Sequence, residues 1–143
     1  MSGYKNIIVA IDLTDEADQV MTKAVELREH YEANLTLLHV VEPVGYAFNG
    51  DLPLDLTELQ EQVESKAKAR LNDLGSTYGI GSDRQILATG RPGAEIRRIA
   101  EERGADLIVL GTHGRHGIQL LLGSTANSVL HGAPTDVLSV RVR

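Results

Sequence analysis

Leu107-Ile108-Val109-Leu110-Gly111-Thr112-His113-Gly114-Arg115-His116-Gly117 is the stretch on which the fold turns. Four consecutive apolar residues closed by a glycine suit a strand covered on both faces, as in a parallel sheet sandwiched between helices. The glycines at 111, 114 and 117 let the backbone turn with positive φ and approach a ligand closely. Gly123-Ser124-Thr125 follows, where Ser124 can cap a helix to about Leu130 whose free N–H groups favour an anion. Together they describe a phosphate seat. On the plainer reading Gly111 ends a strand, Gly114 and Gly117 shape a turn, and Ser124 is only a cap.

Outward from this stretch, strand and helix patterns alternate. Asn6 to Asp12 (NIIVAID) and Leu35 to Val41 (LTLLHVV) are further apolar runs, separated by a segment periodic at Val20, Ala24, Leu27 and Tyr31. Leu56, Leu59, Val63, Ala67, Leu71 and Leu74 recur at helical spacing and mark the longest helix. Its Glu58, Glu61, Glu64, Lys66, Lys68 and Arg70 read as a solvent face with ion pairs. Before that helix, Glu42 to Asp55 carries Pro43, Gly45, Gly50 and Pro53 and reads as a loop long enough to invite a functional question. Arg84 to Ala88 is a weaker strand, broken by Gly90-Arg91-Pro92 from a helix over Ala94 to Arg103. Val137 to Val142 (VLSVRV) alternates, with Leu138, Val140 and Val142 on one side and Ser139 and Arg141 on the other, as an edge strand does.

Alternating β and α elements of this kind imply the α/β class: a single open, doubly wound parallel sheet of five strands with helices on both faces. Right-handed crossovers favour the strand order 3-2-1-4-5. A crevice is then expected at the carboxyl ends of strands one and four, where the winding reverses, with Asp12 and Gly111 ending those strands.

Composition narrows the function. At 143 residues, 1–143 is expected to form one domain with a core of its own. Cysteine is absent, which removes disulfides and thiol chemistry. The net charge of −6 argues against a nucleic-acid partner. No run reaches the length of a membrane span and the start, Met1 to Asn6, has no signal-peptide pattern, so a cytoplasmic protein without a membrane partner is expected.

Asp12, at a strand end, can accept a ribose hydroxyl or hold Mg²⁺ that a nucleotide brings with it; its plainer role is a helix cap or a turn residue. His113 and His116 stand three apart but lack a third ligand cluster, and His39 inside an apolar strand reads as a satisfied core histidine. His30 and His131 suit helix ends. Arg91 reads as a solvated turn residue before a phosphate contact. A P-loop lysine is absent, and no second carboxylate stands beside Asp12 in the sequence to orient water, so the chain is expected to show little or no turnover.

With VAID near the start, LLHVV in the second strand and the glycine loop of the final third, the whole chain resembles the universal stress protein (UspA-like) family. The resemblance implies a Rossmann-like domain of the adenine nucleotide alpha hydrolase-like type. In nucleotide-binding members the loop follows G-x2-G-x9-G-[S/T]; Gly111 and Gly114 fit, with eight residues between Gly114 and Gly123. The resemblance implies that Leu110, Gly111, Thr112, His113, Gly114, Gly123, Ser124 and Thr125 surround ribose and phosphates or wall the site. It also implies that Ala10, Ile11 and Asp12 border the nucleoside and that the backbone of Val40 meets the adenine edge. ATP, or ADP or AMP, is the implied ligand, and a homodimer through 137–142 the implied assembly. The alternative is a nucleotide-free, dimeric interaction protein in stress resistance. The Gly45-Tyr46 loop and the long helix after it resemble a branch of the family that lacks these glycines.

Overall fold

Parallel pairing of the apolar runs organises the chain. The computed structural model describes residues 3–43, 56–113 and 128–142. Five strands form one sheet: β1 (Asn6–Ala10), β2 (Asn34–Val41), β3 (Gln85–Thr89), β4 (Leu107–His113) and β5 (Asp136–Val142). Their spatial order is β3-β2-β1-β4-β5, every neighbouring pair is parallel, and the expected topology holds. Helices α1 (Ala17–Tyr31), α2 (Thr57–Tyr78) and α3 (Pro92–Glu102) make the crossovers from β1 to β2, β2 to β3 and β3 to β4. The long loop expected over Glu42 to Asp55 falls almost wholly outside the described residues.

Alternation along each strand divides the core in two. On one face Ile7, Val9, Leu35, Leu37, Leu107 and Val109 pack against Val20, Met21 and Ala24 of α1 and Leu71 of α2. On the other, Ile8, Ala10, Leu38, Val40, Ile108 and Leu110 meet Ile96, Ile99 and Ala100 of α3, together with Val129. The sheet is therefore covered on both sides, which is why β1, β2 and β4 show near-continuous hydrophobicity. β5 alternates as expected, with Leu138, Val140 and Val142 toward the α1 face.

Two strand ends differ from expectation. β1 stops at Ala10, two residues before Asp12: Ile11 still donates its N–H to Leu38, but its carbonyl turns to a side chain. β4 does not end at Gly111. It runs on to His113 because β5 continues beside it, pairing Gly111 with Val140, Thr112 with Arg141 and His113 with Val142.

Candidate functional site

Beyond the carboxyl ends of β1, β2 and β4 lies a cavity of about 790 Å³, within the range of small-molecule sites. Strand ends supply Ala10, Ile11, His39, Val40, Val41, Leu110 and Gly111, with Asp12 just past β1. Val20 of α1, Val63 and Ala67 of α2 and Ile96 of α3 add apolar walls; Thr14, Glu16, Glu42, Arg91 and Ser128 add polar groups. The crevice thus opens where the chain, having wound outward from β1 through β2 to β3, crosses back to β4 on the other side.

The turn that carries Asp12 is held from several directions. Asp12 Oδ1 accepts the N–H of Thr14 at 3.2 Å and its hydroxyl at 2.8 Å, an Asx-type turn. Between them Leu13 sits at φ 60°, a left-handed conformation that is uncommon for a leucine. Its carbonyl accepts Nη1–H of Arg70 from α2 at 2.9 Å. His39 Nδ1 lies 2.7 Å from the carbonyl of Ile11. A carbonyl can only accept, so this geometry requires the proton on Nδ1. Burial lowers the His39 pKa from its ordinary value, while the Ile11 carbonyl and Asp12 act in the opposite direction. The ring is satisfied, as expected, but it also lines the cavity.

Of the residues singled out from sequence, the fold gathers Ala10, Ile11, Asp12, Val40, Leu110 and Gly111 around one cavity. Thr112 and His113 continue β4 beside β5, Thr112 is not among the lining residues, and of His113 only the strand position is described. Gly114, Gly123, Ser124 and Thr125 lie outside the described residues, as do Arg115, His116 and Gly117. Gly111 departs from the rationale given for it. Within paired β4 it is not a positive-φ glycine, and its need is steric: a Cβ there would stand 2.7 Å from Val20 Cγ2 and 3.1 Å from Val142 Cγ2. Asp12 acts as a turn residue; the N-cap of α1 is Glu16.

Arg91, read as a solvated turn residue ahead of a phosphate contact, is exposed and borders the cavity at the N-cap of α3. Sequence reasoning left the polar face of α2 to solvent, although Arg70 reaches Leu13 and Glu64 accepts the Thr89 hydroxyl at 3.1 Å. Such tertiary bonds leave no periodic trace. The strand ends placed Asp12 and Gly111, and the family resemblance added Ala10 and Ile11.

A family model described as "Universal stress protein family" matches residues 3–141. The chain belongs to this family. Universal stress protein A homolog 2 of Coxiella burnetii is 43% identical over 147 residues, covering 100% of this chain and 99% of the relative. Among solved structures, the universal stress protein UspA from Lactobacillus plantarum shares 30% identity at a TM-score of 0.79, covering 99% of this chain and 100% of that one. A universal stress protein solved in complex with cAMP aligns at a TM-score of 0.66 and 22% identity, covering 97% and 98% of the two chains. At that identity the likeness speaks for the fold. As a universal stress protein, this chain has its crevice at the switch point of the parallel sheet.

Proposed function

We propose that this universal stress protein is a regulatory protein that binds ATP or a related adenine nucleotide in the crevice between β1 and β4, with little or no turnover. The observation that carries the reading is the cavity of about 790 Å³ in which Asp12 and apolar strand ends meet. Micromolar affinity needs about 8 kcal/mol, more than a helix N-terminus alone supplies at about 0.3–1 kcal/mol. Burial of a purine against Val40, Leu110 and Ile96 supplies apolar contact of the required kind. The solved relative bound to cAMP supports an adenine ligand.

Mg²⁺ fits this site as a passenger of the nucleotide. Among the described residues no cluster of three potential metal ligands exists, and Mg²⁺ characteristically takes one or two carboxylates with phosphate oxygens and waters. Asp12 is the residue that would hold it, neutralising the repulsion between a carboxylate and a phosphate chain. The cytoplasm, where nucleotide and Mg²⁺ are both abundant, is the compartment this reading calls for.

Equilibrium dialysis with ATP and Mg²⁺ tests the reading. Saturable binding is expected for the wild type and its loss in Gly114→Val and Gly123→Val, with no phosphate release by the purified protein. A wild type that never saturates would leave the nucleotide-free interaction protein as the better account. β5 favours an assembly in either case: it lies at one border of the sheet, with Val137, Leu138 and Val140 only half-buried. We infer a homodimer through 137–142, since an unpaired strand edge invites a second chain.

A further inference from the structure

The β1–α1 turn has the Asp12 carboxylate on the wall of the cavity, yet neither β1 nor α1 includes it. The sheet ladder has ended with the Ile11 N–H on the Leu38 carbonyl and α1 has not begun, so the remaining peptide groups from Ile11 to Leu13 need partners from elsewhere. Two come from distant elements. His39 of β2 takes the carbonyl of Ile11, and Arg70 of α2 takes that of Leu13. These bonds flank Asp12 on both sides.

We propose that His39 is the positioning residue of this site, with Arg70 as its auxiliary: together they clamp the peptides on either side of Asp12 and so set where its carboxylate meets a ligand. The proposal rests on the nucleotide reading above for its functional consequence, though the clamp itself is a property of the free protein. His39 suits the role better than a residue of the turn could. It stands on a strand paired with β1 on one side and β3 on the other, with His39 opposite Leu87. A group on so rigid a support holds the Ile11 carbonyl without moving itself. The Nδ1–H tautomer is forced by that carbonyl and turns the opposite nitrogen, Nε2, into an acceptor. Arg70 is exposed and bonds from a flexible side chain, so its share is smaller. Its bond nevertheless ties α2 to the turn, so by linkage a ligand seated at Asp12 also steadies α2.

Asparagine and leucine at position 39 separate the possibilities, because the Asn Nδ2–H occupies nearly the place of the histidine Nδ1–H while leucine keeps bulk and loses the donor. Titration calorimetry with Mg·ATP should show about a tenfold loss of affinity in His39→Leu, the equivalent of one hydrogen bond, with affinity restored to within about threefold of wild type in His39→Asn. Arg70→Met should weaken binding less than His39→Leu. Long-range ¹H–¹⁵N spectra of the ligand-free wild type should show the Nδ1–H tautomer, and amide exchange at Leu13 and Thr14 should quicken in both His39→Leu and Arg70→Met. An Nε2–H tautomer, or affinity equal to wild type in His39→Leu, would overturn the proposal; so would an asparagine variant as weak as the leucine one. Should His39→Leu fail to fold, the asparagine and Arg70→Met variants and the tautomer still decide it. A wild type that ignores Mg·ATP would defeat the nucleotide reading alone, while the tautomer and exchange measurements would still judge the clamp.

Discussion

Gly111 and His39 show how one residue can serve packing and site together. At Gly111 the missing Cβ leaves room for Val20 and Val142, whose methyl groups would lie 2.7 and 3.1 Å from it. Val20 is buried and β-branched, so it has little freedom to retreat. Gly111→Ala is expected to cost about 1–3 kcal/mol by overpacking, measured by urea denaturation. Adding Val20→Ala should return part of that loss, a non-additivity that marks direct contact. At His39, burial depresses the imidazole pKa below 6.5, against the pull of the Ile11 carbonyl and Asp12. The unfolded chain therefore binds more protons than the folded one between 6.5 and the depressed folded value. Stability from this group is complete above 6.5 and is lost as pH falls through that window. Comparing urea midpoints on the two sides of the window, wild type should lose more on acidification than His39→Asn.

Both α1 and α2 end in a left-handed residue, a glutamate in one and a glycine in the other. Gly79 closes α2 at φ 71° with its N–H bonded to the Gly75 carbonyl, the usual use of glycine after a last helical turn. Glu32 does the same for α1 at φ 53°, with its N–H on Arg28. A Cβ on residue 79 would touch nothing within 4 Å, so Gly79→Ala isolates backbone strain and should cost about 1 kcal/mol in thermal or chemical unfolding. A cost near zero would mean that the cap relaxes. Strand β3 was the faintest element in the sequence because its residues, Gln85 to Thr89, are half-buried or exposed in the fold. Its place comes from pairing with β2, Leu38 beside Ile86 and Val40 beside Ala88, which the short run QILAT does not announce. β2 and β4, whose apolar residues are buried on both faces, could be read directly.

For the molecule entire, the nucleotide reading makes a thermal prediction. A ligand that binds only the folded state at a hundredfold excess over its Kd stabilises by about 2.7 kcal/mol, which for a chain of this size corresponds to a rise in Tm of roughly 5–11 °C. Scanning fluorimetry with Mg·ATP should show that rise in wild type and about half of it in His39→Leu, whose tenfold weaker binding leaves about 1.4 kcal/mol at the same ligand concentration. Light scattering on purified protein should return the mass of two chains; a single-chain mass would remove the β5 dimer. Hydrophobic runs, glycine breaks and the β–α alternation were enough to assign the strand order and to bring Asp12 and Gly111 to one crevice, because burial imposes its pattern locally along the chain, whereas Ala10, Ile11 and Val40 were placed there by the family resemblance. Residues far apart in sequence had to be folded together before the remainder could be seen. The closures of the Asp12 turn by His39 and Arg70 rest on single long-range hydrogen bonds, and the extension of β4 past Gly111 on its pairing with β5. One hydrogen bond or one pair of methyl groups leaves no periodicity behind, so chain order alone carries no sign of it.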